Sequence, residues 1–286
     1  MITPLAGAAI IGLAAGATLF VMDRVALTMI RPPQLLHRRK VEGLPFGAER
    51  HSFSSSGQAL LGWIVEPESD RGGPVFVLVH GWGSSHGNLI RLAVPLLRTG
   101  HPVFLFDVRH HGESPPAPYV TARHFRDDIM AACREMKAVF PQRSVVLAGH
   151  SMGGSTGILA AVEGAPVQGL ISISAPADLW DVWAYYFDLK GLPGKWIVRI
   201  LNPFWRIRAG VPFKTLDPES RVRELAVPFL ILHGSLDQSV PAKHAIALAA
   251  AAGTEAVVME GRDHGNLLDS PELHERILAF LDTIPA

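Results

Sequence analysis

"VVLAGHSMGGSTGILAA", residues 145–161, is the stretch whose reading decides the fold. Val145–Ala148 is a short continuous apolar run, the pattern of a buried strand, and the small apolar residues after Gly153 suit a packed helix. Between them Gly149-His150-Ser151-Met152-Gly153 fits G-x-S-x-G, in the strand–turn–helix setting that motif requires. The flanking glycines leave room for a serine in a strained backbone conformation with its hydroxyl exposed. The same five residues also fit a glycine-containing loop that carries the pattern by chance, so the rest of the chain has to decide.

Outward from this point the chain alternates. "RHSFSSSGQALLGWIVEP" reads as a hairpin turning at Ser56-Gly57, and "GPVFVLVHG" as a buried strand followed by a helix near Asn88–Arg98. "HPVFLFDVRHHGES" adds a buried strand and a loop, Phe125–Phe140 a helix, Ser155–Glu163 a helix and Gly169–Ser174 a strand. The strand Phe229–Leu232, a helix near Ala242–Ala252, the strand Val257–Met259 and a last helix from Pro271 complete the pattern. Continuous apolar strands alternating with helices predict a mostly parallel sheet covered on both faces, with ligand chemistry at the C-terminal strand ends. The stretch 178–216 breaks the alternation and reads as an insertion.

A serine hydroxyl needs a base to take its proton, and the base needs an acid to fix its tautomer. Past Ser151 the strand ends offer Asp237, beyond Phe229–Leu232, and His264, beyond Val257–Met259. Asp178, after the preceding strand, is a rival for the acid role, and His264 alone would read as a solvated loop histidine among thirteen. Asp263 reads as a loop residue and Asp107 as a structural support for the loop carrying His110 and His111. Acyl transfer also needs donors for the developing oxyanion. The backbone N–H groups of Met152 and of Trp82, in "HGWG", are the candidates; a plain strand-to-helix turn is the alternative for the latter.

Composition narrows the field. The 286 residues are 48% hydrophobic and 18% charged, with a formal net charge of +0, which gives no general pull toward nucleic acid. The single cysteine, Cys133, excludes an internal disulfide and a Cys-rich zinc site, and reads as a small core residue. Ile2–Met22 carries no charge and as a helix spans about 30 Å, enough to cross a bilayer. A signal peptide is the first alternative, since Ala15-Gly16-Ala17 resembles a cleavage site, but no basic residue precedes the run. A buried helix of the soluble domain is the second, weakened by the lack of a polar face. Ala8, Gly12 and Gly16 form a small-xxx-small face that fits a homodimer contact, and fits equally an accident of an Ala/Gly-rich span. Arg24, Arg31, Arg38, Arg39 and Lys40 follow the span, so the positive-inside rule places the large domain in the cytoplasm. Pro32 and Pro33 stop any juxtamembrane helix. The expected organisation is an anchor over 1–22, a juxtamembrane helix and basic linker over 23–47, and a catalytic domain over 48–286 with a cap over 178–216.

"LVHGWGSS", "LFDVRHHGES", "LAGHSMGG", "LHGSLDQSVP" and "GRDHGN" stand in the order and spacing of the α/β-hydrolase superfamily. The chain resembles its serine esterase and lipase branch, including monoglyceride-lipase-like and membrane-anchored members, over roughly residues 48–284. The resemblance implies an α/β-hydrolase fold, a triad of Ser151, Asp237 and His264, an oxyanion hole at Trp82 and Met152, and no cofactor or metal. One departure is His110, where many relatives carry glycine. Serine at the turn argues against the dehalogenase and epoxide-hydrolase branches, which use aspartate there.

Trp180, Trp183, Trp196 and Trp205 fall in the insertion with Tyr185, Tyr186, Phe187, Phe204 and Phe213. Lys190, Lys195, Arg199, Arg206, Arg208 and Lys214 are unopposed by any acidic residue between 190 and 214. An ordinary cap would turn its aromatics inward and solvate its basic face; a lipid-facing cap would set both against headgroups. The combined expectation is a membrane-anchored serine hydrolase of medium- or long-chain carboxylic esters: monoacylglycerol, lysophospholipid or phospholipid. An amide or peptide hydrolase of the same fold, and a non-catalytic membrane-anchored binding module, are the alternatives.

Overall fold

A computed structural model describes residues 4–36 and 39–285, without the side chains of residues 4, 6–9, 213 and 214. Arg38, residues 1–3 of the expected anchor, and the side chains of Ala8, Phe213 and Lys214 therefore lie outside the described part.

The strands are β1 (Gly47–Ser55), β2 (Gln58–Glu66), β3 (Val75–Val79), β4 (Val103–Asp107), β5 (Val145–His150), β6 (Gly169–Ile173), β7 (Phe229–Gly234) and β8 (Ala256–Met259). They form one sheet in the order β1-β2-β4-β3-β5-β6-β7-β8. β1 and β2 pair antiparallel, and β2 pairs antiparallel with β4, while β3 to β8 run parallel. The β1–β2 turn is made by Ser56 and Gly57, both at positive φ (49° and 80°), as a two-residue hairpin turn matched to strand twist requires. Every residue of β3, β4, β5 and β6 is buried, which is why these strands read as unbroken apolar runs.

The helices are α1 (Pro4–Met29), α2 (His86–Arg98), α3 (Ala122–Val139), α4 (Met152–Val162), α5 (Leu179–Asp188), α6 (Gly194–Ala209), α7 (Pro218–Arg221), α8 (Lys243–Ala252) and α9 (Pro271–Phe280). The two-residue period of the strands sorts the core. Val75, Val77 and Val79 face Phe125, Ile129 and Ile158 of α3 and α4, whereas Phe76 and Leu78 face Leu89, Leu92 and Ile277 of α2 and α9. Cys133 is fully buried in the first of these layers, and burial pushes its thiol up to about 12. Two helix starts come earlier than the apolar pattern suggests. α3 begins at Ala122 because the His124 ring accepts the Thr121 N–H (3.2 Å), and α4 begins directly after Ser151.

Ile10–Met29 within α1 is long and apolar enough to cross a membrane by length and composition, and almost all of it is exposed. Gly12 and Gly16 face open space. The helix runs on without a break through Asp23 to Met29, and its last turns are not free. Ala26 and Ile30 are buried against Ala184, Val198, Leu201 and Trp205 of α5 and α6. These two helices lie between β6 and β7 in sequence.

Candidate active site

Because β3, β5, β7 and β8 are parallel, the loops after them emerge at one edge of the sheet. They carry Trp82, Ser151, Asp237 and His264 respectively. Ser151 sits at φ 56° and ψ −123°, a conformation that costs a non-glycine residue of order 1–3 kcal/mol. Its surroundings hold it there: Ser151 N–H donates to Ile173 O (2.8 Å), and Ser151 O accepts from Gly154 N–H (2.9 Å) and Ser155 N–H (3.2 Å). The motif's glycines are steric necessities. A β-carbon on Gly149 would lie 2.3 Å from Gly153 O, and one on Gly153 would lie 2.5 Å from Val79 O. Gly81 is equally tight, since a β-carbon there would come within 2.9 Å of Ser151 Cβ.

His264 Nδ1–H donates to Asp237 Oδ2 (2.7 Å), and Asp237 Oδ1 accepts from the amides of Ser239 (2.9 Å) and Val240 (2.8 Å). Burial alone would raise the Asp237 carboxyl. The hydrogen bond and charge of His264, with the Val240 amide and His233, outweigh it and hold the carboxyl below its ordinary range. The remaining ring nitrogen of His264 is thereby left for chemistry. Ser151 and His264 line the same cavity; among the described residues no hydrogen bond joins them, and such bonds in free enzymes commonly tighten only around substrate. Asp178 is placed elsewhere. It caps α5, accepting from the amides of Trp180 (2.7 Å) and Asp181 (3.2 Å). Asp263 closes its own loop by accepting from the amides of Gly265 and Asn266.

Trp82 and Met152 line the cavity beside Ser151, and among the described residues neither amide donates to a backbone carbonyl. The loop carrying Trp82 is fixed from beneath. His80 Nδ1–H donates to Gly81 O (2.8 Å) while its Nε2 accepts the Val108 N–H (3.1 Å). Asp107 pins the next loop, accepting from His86 N–H (2.7 Å) and Glu113 N–H (2.8 Å). His110 adopts φ 58°, the left-handed region where glycine is the easier residue, and its Nδ1 accepts the Ala117 N–H (3.0 Å).

Above Ser151 lies a mostly apolar cavity of about 600 Å³, with Leu179, Trp180, Trp183, Tyr186 and Trp205 of the insertion forming one side. Trp180 stacks on Trp205 (5.2 Å), and Trp183 meets Trp82 edge-on (6.3 Å). Three of the insertion's tryptophans thus turn inward, while Trp196 is 66% exposed. The outer face of α6 repeats Trp196, Ile200 and Ile207 at helical spacing, all exposed, next to Lys195 and Arg199. His150, in the motif itself, is a residue whose role the sequence pattern did not reveal. It is buried, and its Nε2–H donates to His264 O (2.9 Å).

A sequence family described as "alpha/beta hydrolase fold" matches residues 74–194. The chain is 27% identical to a monoglyceride lipase of Rattus norvegicus over 282 aligned residues, covering 86% of this chain and 93% of the relative. It is 35% identical to an sn-1-specific diacylglycerol lipase of Mus musculus over a shorter 91-residue stretch, 32% of this chain and 28% of the relative. An esterase of Pyrococcus furiosus superimposes with a TM-score of 0.71 at 20% identity, covering 89% of this chain and all of that one, a likeness of fold. With its strand order, its strained serine at the end of β5 and these likenesses taken together, the chain has the α/β-hydrolase fold.

Proposed function

We propose that the protein is a membrane-anchored carboxylic ester hydrolase acting on lipids with medium or long acyl chains, through Ser151, His264 and Asp237. The observation that carries this reading is the placement of Ser151 and His264 on the floor of an apolar, tryptophan-lined cavity, with Asp237 bound to His264 Nδ1 behind them. Ser151 Oγ attacks the ester carbonyl as His264 Nε2 takes its proton. The tetrahedral oxyanion accepts hydrogen bonds from the Trp82 and Met152 amides. Collapse expels the alcohol, which receives the proton from His264. A water deprotonated by the same nitrogen then attacks the acyl-enzyme, releasing the carboxylic acid and restoring Ser151. Asp237 stays ionised throughout and steadies the imidazolium.

The lipid part of the reading is supported by the relatives, a monoglyceride lipase and a diacylglycerol lipase, and by the cavity's apolar lining. Anchoring is supported by the exposed apolar length of α1, and the cytoplasmic side by the basic residues that follow it. The exposed stripe of α6, with Lys195 and Arg199 beside it, supports a cap over 178–216 that faces anionic headgroups. Hydrolysis of a ladder of fatty-acyl esters in detergent, wild type against Ser151→Ala, tests the proposal. Loss of activity in the variant with medium or long chains preferred is the expected result. Equal activity in both, or amide cleavage in preference to ester, overturns it.

A further inference from the structure

The end of α1 does more than lead the chain to its domain. Trp205 Nε1–H donates to Ala26 O (3.0 Å), and Arg208 Nη2 donates to Asp23 Oδ1 (2.6 Å) across 185 positions of sequence. One turn further, Ile30 is 8% exposed, and its carbonyl accepts the Val120 N–H (2.7 Å). Ile30 and Val120 both line the cavity that holds Ser151 and His264, as does Trp205. The chain then continues past Pro33 to Gln34, whose Nε2–H donates to Ser114 O (3.0 Å) in the loop after β4. A flexible tether would need none of these contacts.

We propose that the last turns of α1 are a working wall of the acyl site, in which Ile30 sets how much chain the cavity accepts and the Asp23–Arg208 pair clamps that wall against α6. The inference rests on the reading that Ser151 cleaves acyl esters. It adds that acyl-length selection comes partly from the anchor. The clamp also ties the cavity wall to the apolar helix proposed as the membrane anchor. Asp23 and Arg208 are each mostly shielded from water, so their attraction is less screened than that of a surface pair. Asp23 also accepts from its neighbour Arg24 (2.6 Å), so removing Arg208 leaves Asp23 paired only within α1 and frees α6 from it, while removing Asp23 leaves the Arg208 charge without its carboxylate.

The test uses the protein with α1 intact, in detergent, and compares butyryl, lauroyl and palmitoyl esters. Ile30→Trp fills the cavity, and the laurate-to-butyrate ratio of kcat/KM falls about tenfold; Ile30→Ala moves the optimum toward palmitate. Arg208→Asp lowers the same ratio, and adding Asp23→Arg restores it. A series in which every variant keeps the wild-type ratio overturns the proposal. So does a uniform loss at all chain lengths, which marks Ile30 as merely structural. Binding of the fluorescent fatty acid cis-parinaric acid to Ser151→Ala, with and without Ile30→Trp, reads the wall without catalysis. Weaker binding in the double variant is expected, and equal binding overturns the wall. If Ser151→Ala retains full ester hydrolysis, the catalytic reading fails while this titration still judges Ile30.

Discussion

His150 donates its Nε2–H to the backbone carbonyl of His264 across 2.9 Å, and the two imidazole rings lie 4.7 Å apart. A carbonyl only accepts, so the proton of neutral His150 is fixed on Nε2. Burial, aided by the charge of His264, pushes the His150 pKa down to about 3, so the ring stays neutral near pH 7. The residue preceding the proposed nucleophile thereby holds the loop that carries the proposed base.

Replacing that hydrogen bond with apolar volume should loosen His264 without touching the substrate cavity. His150→Leu is expected to lower kcat on a butyryl ester by about 10²-fold with little change in KM, the signature of a misplaced catalytic group. His150→Gln keeps an N–H donor and should recover part of the loss. Equal kcat in His150→Leu and wild type would show that the loop holds itself.

The two aspartates at the strand ends separate cleanly by substitution. Asp237→Asn removes the acceptor that fixes the His264 tautomer, so kcat should fall by about 10⁴-fold. Asp178→Ala removes a helix cap and should cost about 1 kcal/mol of stability, read by denaturant unfolding, with turnover retained. An inactive Asp178→Ala beside an active Asp237→Asn would reverse the assignment.

Acid should destabilise the fold well before its carboxylates titrate. Burial lowers His111 from the ordinary 6.5 to about 3, His124 to about 4 and His150 to about 3. In the unfolded chain each takes up a proton near 6.5, whereas in the folded protein each resists it. The unfolded state therefore binds more protons between about pH 6.5 and 3, and stability declines as pH falls through that window. Asp128, whose carboxyl is raised by burial, works in the opposite sense. The Tm should be clearly lower at pH 5 than at pH 7.5; a Tm that does not move over that range contradicts the assignment of these rings as buried and neutral.

Much of this was legible in sequence because it is local or periodic. Val145–Ala148 reads as a strand from four residues, and Ser151, Asp237 and His264 are candidates because they stand just past the apolar runs of β5, β7 and β8. Helix starts were less legible, since α3 is capped through His124, an uncommon partner for Thr121 N–H, and α4 begins inside the turn that exposes Ser151. The docking of α1 on α6 was invisible. Asp23 and Arg208 carry no pattern linking them, and an apolar helix end reads the same whether it faces lipid, solvent or Trp205. The role of His150 was hidden for the same reason: its partner is a backbone carbonyl 114 positions away, which leaves no trace in side-chain chemistry.

A second long-range pairing, Arg109 with Asp128, yields a prediction about stability alone. Both side chains are buried; the guanidinium bonds both carboxylate oxygens, Ser55 Oγ–H donates to Asp128 Oδ1 (2.6 Å), and Arg109 N–H donates to Oδ2 (3.0 Å). Attraction inside an apolar core is strong, but it must offset the loss of water around both ions, so the pair specifies geometry more than it adds stability. Removing one partner is a different matter, because the other charge is stranded. Arg109→Met should therefore destabilise by about 3–5 kcal/mol, with thermal unfolding on the order of 10 °C lower. The double variant Arg109→Met/Asp128→Leu removes the stranded charge and should regain most of that loss, while turnover by the folded protein is retained in both. A double variant no more stable than Arg109→Met would mean that the contacts of Arg109 with the loop, rather than the charge of Asp128, govern this corner of the fold.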